Sequence, residues 1–242
     1  MEYSVSEWHG FKRSDFVLNG RKAIIVEPQK REENNRWLLK TEYFDAFPSL
    51  ETEMLKRGWC VAYIENITRW HKPEDDDAKA ELCRFLQKEF GLSAKCVPVG
   101  MSCGGMHAVY FAAKYPEYVS AMYLDAPVLN LLSCPCGVGI AGDDMYEEFV
   151  RDTGVTVSEL INYRNHPIDL VDGIIKNKIP AFLVCGDSDR VVPYCENGRY
   201  LAEKYRKSDV AFYEIIKPGC DHHPHGLEDS SPLIEFAENS GL

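Results

Sequence analysis

Apolar and polar positions change period several times along this chain, and each change predicts an element. Asp15–Leu18 and Ala23–Val26 flank Asn19-Gly20, a dipeptide that suits a two-residue type I′ turn, so an antiparallel hairpin is expected near the start. Trp37–Thr41 reads as a third strand, Ser49–Lys56 as a helix stopped by Gly58, and Trp59–Glu65 as a fourth strand. Pro73–Phe90 has the spacing of an amphipathic helix, and its acidic first turn (Glu74, Asp75, Asp76, Asp77) complements the helix dipole. Lys95–Gly100, Val119–Ala126, Ala181–Cys185 and Val210–Ile216 read as further strands. Met106–Lys114 and Ser231–Glu238 read as helices, the second with a serine cap and Pro232 at its first helical position. Strands alternating with helices imply an α/β class: a mainly parallel, twisted sheet with an antiparallel N-terminal hairpin and helices on both faces.

Residues 130–178 break this rhythm. They are rich in Gly, Asp, Asn and Pro, with helical pieces near Asp144–Thr153 and Ser158–Arg164. Following the sixth predicted strand, they are expected to form a small cap or lid within one domain spanning 1–242, with a plain surface excursion as the other reading.

The densest chemistry lies at Gly100-Met101-Ser102-Cys103-Gly104, between the apolar run Cys96–Val99 and the helical run Met106–Lys114. Strand, sharp turn, helix is the setting of a nucleophile elbow, with Ser102 at the tip and small residues letting strand and helix approach. The Cys103 amide then opens the helix and points toward a developing oxyanion. A serine nucleophile needs a base, and the base needs an acid to orient it. Gly186-Asp187-Ser188-Asp189 follows the strand Ala181–Cys185, and Asp189 is the expected acid, with Asp187 as the alternative. Three of the chain's seven histidines fall in Lys217-Pro218-Gly219-Cys220-Asp221-His222-His223-Pro224-His225, after the strand Val210–Ile216. His222 is the expected base and His223 its alternative; His223 and His225 otherwise shape the loop or line the pocket. The spacing HHxH is expected to spread its donors on different sides of a loop, and no CxxC or HExxH accompanies it, so no metal is assigned. All three triad candidates fall at C-terminal strand ends, the edge that carries sites in open α/β sheets.

A second oxyanion donor is expected from the loop after the third predicted strand, where Lys40-Thr41-Glu42-Tyr43-Phe44 stands without the usual His-Gly. The amide of Glu42 or a neighbour is assigned, with the Glu42 side chain near the pocket, accepting sugar hydroxyls or orienting the loop. Tyr43, Trp70 and His223 are candidate substrate contacts. Trp70 lies at the same sheet edge and reads either as a platform for a sugar ring or as a partly buried rim residue.

Five segments carry a family resemblance: RWLLKTEYFDAFP (36–48), GMSCGG (100–105), YLDAPV (123–128), VCGDSDRVVPY (184–194) and KPGCDHHPHGLED (217–229). On these the chain resembles the α/β-hydrolase superfamily over essentially its whole length. More narrowly it is similar to a bacterial group of α/β-hydrolases found among carbohydrate esterase genes. The resemblance implies a serine esterase fold and triad, with an ester of a sugar or oligosaccharide as substrate; no cofactor is expected, and the alternatives are a serine peptidase or other acyl hydrolase and, in another class, a non-catalytic ligand-binding protein on a hydrolase scaffold. That group often carries arginine after the nucleophile; here the residue is Cys103, so any substrate contact of such an arginine is missing while the backbone amide remains.

Composition narrows the partners. The 242 residues suffice for one α/β domain with a sizeable core. The formal net charge of −11, with scattered Lys and Arg, argues against nucleic acid and anionic membranes. A small-molecule or oligosaccharide ester is the expected partner, neutral esters are expected to be preferred over polyuronates, and self-association into a homo-oligomer stays open. Nine cysteines, several in apolar runs, read as free thiols in a reducing compartment, hence the cytoplasm. The polar start MEYSVSEWHGFKR has no apolar signal-peptide core, and no run approaches the length of a membrane span.

Overall fold

The computed structural model describes residues 2–142 and 144–240. Strands β1 (Ser4–Trp8), β2 (Phe11–Leu18) and β3 (Arg21–Glu27) pair antiparallel. Asn19 and Gly20 have φ of 47° and 84°, which a type I′ turn requires. His9-Gly10 makes the same kind of turn with φ of 50° and 83° and adds β1 to the expected hairpin. That strand escaped the sequence reading because its residues are exposed up to Trp8, so it carries no apolar alternation.

After the hairpins come β4 (Trp37–Lys40), α1 (Ser49–Lys56), β5 (Cys60–Ile64), α2 (Pro73–Phe90), β6 (Val97–Met101), α3 (Cys103–Lys114) and β7 (Met122–Asp125). Then follow α4 (Tyr146–Thr153), α5 (Val157–Leu160), α6 (Pro167–Lys176), β8 (Ala181–Gly186), α7 (Gly198–Tyr205), β9 (Phe212–Lys217) and α8 (Ser231–Asn239). The nine strands form one sheet in the order β1-β2-β3-β5-β4-β6-β7-β8-β9. From β5 to β9 every pairing is parallel. Strands β4, β6, β7 and β8 are buried along their whole length, as expected of strands covered on both faces.

Two hydrophobic cores flank the sheet. One packs α2, α3, α6 and α7 on a face through residues such as Leu86, Phe111, Ile174 and Leu201. The other packs α1 and α8 on the opposite face through Leu50, Met54, Leu233 and Phe236. Strand order reverses between β4 and β6: β4 leads to β5 on one side, and the chain then returns to β6 on the other. The crevice beyond the strand ends at such a switch point is where open α/β sheets hold ligands.

A third cluster, including Trp70, Met106, Tyr110, Leu131, Phe149 and Leu160, joins the segment after β7 to α3. Side chains tie this segment down: Tyr110 donates to the Asn165 carbonyl at 2.7 Å, and Arg69 pairs with Glu148 of α4. The segment expected as a small lid, 130–178, includes a helix of the main layers. Residues 167–176 form α6, which packs on α3 and sends Val171 and Ile174 into the main core. No helix among the described residues is long and apolar enough to cross a membrane. All nine cysteines are free thiols, and seven of them are buried.

Candidate active site

Ser102 sits between β6 and α3 with φ 54° and ψ −121°, a left-handed conformation that costs about 1–3 kcal/mol for a residue with a side chain. The fold holds it there from both sides. The Ser102 amide donates to the Asp125 carbonyl at 2.9 Å, and the Ser102 carbonyl accepts from Gly105 and Val128, each at 3.0 Å. The flanking glycines are steric requirements. A Cβ on Gly100 would stand 2.5 Å from the Gly104 carbonyl oxygen, and one on Gly105 would stand 2.3 Å from the Pro127 Cβ.

His222 reaches Ser102 from the loop after β9: its Nε2 is 3.0 Å from the serine Oγ. Its Nδ1 is 2.8 Å from Asp189 Oδ2. The other Asp189 oxygen accepts the amides of Val191 and Val192, both at 2.8 Å. The carboxylate is therefore fixed in orientation, and both it and the imidazole are almost fully buried. Asp187, the alternative acid, is exposed and points elsewhere. Its Oδ1 accepts the Gly219 amide at 2.7 Å and so staples the end of β8 to the turn after β9. Asp221 accepts the His222 amide at 2.7 Å and the Arg190 amide at 3.1 Å, joining the acid-bearing and base-bearing loops. Lys217 donates to the Pro224 carbonyl at 2.6 Å and holds the loop's return.

The loop after β4 is clamped to the elbow. The Thr41 hydroxyl lies 2.7 Å from the Gly104 carbonyl, and the Thr41 amide donates to the Val99 carbonyl at 3.2 Å. Glu42 then borders the first turn of α3: a Cβ on Gly104 would lie 3.5 Å from the Glu42 amide nitrogen. The Cys103 amide, first in α3, has no acceptor within its own helix and faces the same crevice. The Glu42 side chain turns inward rather than toward sugar hydroxyls. Asn66 donates to its carboxylate and, at 2.7 Å, to the Thr41 carbonyl; the fully buried Lys79 in turn donates to Asn66. Burial pushes the Glu42 carboxyl above its ordinary range and pushes the Lys79 ammonium below its own. Sequence reading passed over Asn66 and Lys79; a lysine inside the apolar stripe of α2 was the available signal.

Trp70 is 1 % exposed, which corrects both readings of it as a platform or a rim. Its Nε1 donates to Glu148 at 3.1 Å and its ring meets Phe149 edge-on, so it props α4. Tyr43, with φ 52°, buries its ring with the hydroxyl beside Cys103 Sγ and the Arg69 guanidinium, and this burial raises its phenol well above the usual range. His223 is exposed and stacks on Phe47.

His225 is buried and forms a second carboxylate–imidazole pair, with Nδ1 2.7 Å from Asp125 Oδ1. Asp125 Oδ2 also accepts the Tyr123 hydroxyl and the Gly226 amide, each at 2.7 Å. The expectation that the three loop histidines spread their donors is overturned: one ring nitrogen from each lies within 4.8 Å of the others. The tight return of the chain at residues 222–226, pinned by Asp125 and Lys217, folds them inward.

Known proteins place this arrangement. The fold is similar to that of an acylaminoacyl peptidase from Pyrococcus horikoshii, with TM-score 0.71 and 14% identity, over 95% of this chain and 41% of that one. It is similar to a puromycin hydrolase with TM-score 0.72 and 17% identity, over 98% of this chain and 38% of that one. It is also similar to an S-formylglutathione hydrolase from Agrobacterium tumefaciens, with TM-score 0.64 and 14% identity, over 99% of this chain and 96% of that one. The chain thus spans about two fifths of the first two of these proteins and nearly the whole of the third. A family model, described as the prolyl oligopeptidase family, matches residues 62–238, nearly three quarters of the chain. With its fold and this match together, the chain belongs to the prolyl oligopeptidase family of serine hydrolases, within the α/β-hydrolase superfamily.

Proposed function

We propose that Ser102, His222 and Asp189 form the catalytic triad of an acyl hydrolase that works through an acyl-enzyme. The observation that carries this reading is the unbroken line from Asp189 through His222 to Ser102, at 2.8 and 3.0 Å, ending on a serine held at φ 54°. Ser102 Oγ attacks the carbonyl carbon while His222 Nε2 takes its proton. Asp189 holds Nδ1 as the protonated nitrogen, so that Nε2 presents its lone pair. The amides of Cys103 and Glu42 bind the oxyanion, each contributing about 3–4 kcal/mol to the transition state. His222 returns the proton to the leaving group, and a water activated by the same imidazole releases the acid.

The bond cleaved is a carboxylic ester in the first reading, with acetylated sugars or oligosaccharides as the finer proposal from the group resembled by residues 36–48 and 217–229. The second reading is a peptide or aminoacyl amide, favoured by the family match and by the peptidase-type relatives. The test is turnover of p-nitrophenyl acetate and of aminoacyl p-nitroanilides by the wild type and Ser102→Ala. Loss of at least about a thousandfold in the variant, as triad knockouts give, supports the nucleophile. The faster substrate class decides between ester and amide. Equal turnover by both proteins rejects Ser102.

A further inference from the structure

We propose that His222, His223 and His225 form a binding site for a zinc-class divalent cation, and that its occupancy switches the hydrolase off. The three rings stand in a triangle with centroids 4.8, 4.8 and 4.9 Å apart. Their planes cross at 85°, 80° and 70°, so the rings meet edge to face rather than stacked. One nitrogen of each lies within 4.8 Å of the other two. Among the described residues, no other group of three or more His, Cys, Asp or Glu side chains gathers its donors this way.

What lies behind the rings matters as much. Metal-bound histidines almost always hand their second nitrogen to a carboxylate or carbonyl, which fixes tautomer and orientation. Two of these three already do so: His222 Nδ1 on Asp189 at 2.8 Å and His225 Nδ1 on Asp125 at 2.7 Å. Their Nε2 atoms are left as ligands. Two ligands are thus buried and pre-oriented, while the third, His223, is exposed. Zinc–nitrogen bonds of about 2.0–2.1 Å bring tetrahedral ligands to roughly 3.3 Å apart, so His223 has to swing in by on the order of an ångström. Three neutral imidazoles suit zinc, nickel or copper, whereas magnesium and calcium require oxygen donors. Three protein ligands leave a fourth position open to water.

The consequence for hydrolysis rests on the triad reading above. The His222 Nε2 lone pair now faces Ser102 Oγ at 3.0 Å. A cation that takes this lone pair removes the base from the serine, and no bond is made or broken besides coordination. Binding itself does not depend on the triad reading.

The test is calorimetric titration of the chelator-treated, desalted full chain with zinc chloride, with magnesium chloride as control. One zinc per chain and no magnesium heat are expected. His223→Ala, at an exposed position where folding is not at stake, should weaken zinc at least tenfold, as removal of even a supporting group does. His225→Gln should do the same. Cys195→Ser with Cys220→Ser should leave binding intact, since those are the thiols open to solvent. Absence of zinc binding, or binding that survives His223→Ala and vanishes with the two thiols, overturns the site. Zinc should suppress p-nitrophenyl acetate turnover in step with occupancy, and chelator should restore it. Bound zinc with unchanged turnover overturns the switch. If no acyl substrate is turned over, the triad reading fails while calorimetry still decides the cation site.

Discussion

Two carboxylate–imidazole pairs stand three residues apart in the loop after β9, and they differ only in what the far side of each pair faces. His222 is held by Asp189 and aims its other nitrogen at a strained serine. His225 is held by Asp125, and that carboxylate also gathers the Tyr123 hydroxyl and the Gly226 amide. The first pair ends on the serine of the proposed triad; in the second, the carboxylate gathers two further donors. An Asp–His contact is therefore not itself a sign of catalysis. Its role follows from the third partner, and the second pair serves the first by fixing the loop on which His222 rides.

Breaking each pair should separate these roles. The largest effect is expected from Asp189→Asn, which leaves the shape intact but favours the wrong imidazole tautomer: kcat should fall by about 10⁴, the scale known for triad acids. Measured kcat within tenfold of wild type would remove Asp189 from the triad. Asp125→Ala should act on stability, at about 3–5 kcal/mol, because it strands a buried imidazole, a phenol and an amide. Urea denaturation checks this, and a stability loss no larger than that of Asp189→Asn would erase the contrast. Asn66→Ala tests the oxyanion loop. A misplaced donor should lower kcat about ten- to hundredfold with KM nearly unchanged, since a full donor is worth about 10²–10³.

A third buried histidine sharpens the comparison, because it has no carboxylate partner. His107 is fully buried, with Nε2 3.1 Å from the Arg69 carbonyl and Nδ1 3.5 Å from the Lys79 ammonium. Desolvation, reinforced by Lys79 and His71, holds its pKa well below 6.5. Below pH 6.5 the unfolded chain then takes up a proton that the folded chain refuses. Stability is present above that pH and falls by about 1.4 kcal/mol for each pH unit below it. His107→Gln should flatten the slope of the urea midpoint between pH 6.5 and 5, and an unchanged slope would place the proton elsewhere. The smallest effect expected is a few-fold preference for neutral over anionic esters at low salt, from the net charge of −11, fading as salt is added.

Much of this was legible because periodicity and turn chemistry speak locally. Ser49–Lys56 and Pro73–Phe90 appear with the bounds read from their spacing, and the Asn19-Gly20 hairpin follows from φ preferences alone. The three candidate residues were legible because each follows a predicted strand: Ser102 directly after β6, Asp189 three residues past β8 and His222 five residues past β9. What stayed hidden depends on contacts between distant segments. Nothing near Trp70 signals that Glu148 and Phe149, nearly eighty residues on, will cover it. Asp125 looked like the end of a strand until the chain brought His225 back to it from a hundred residues away. Pro167–Lys176 is an amphipathic helix whose apolar face is hard to see among Gly- and Asn-rich surroundings.

The glycines of the elbow carry a consequence for sequence tolerance. At Gly100 and Gly105 any added carbon would collide with backbone or a proline ring, at 2.5 and 2.3 Å. At Gly104 its nearest neighbours would stand at 3.3 Å, close but not excluded. In a saturation library, positions 100 and 105 should therefore return glycine alone among active clones, while position 104 should admit alanine. Spelled Gly-x-Ser-x-Gly, the motif includes the permissive Gly104 and omits the strict Gly105 beside it, so a search for distant members of this fold would gain by weighting position 105 above 104.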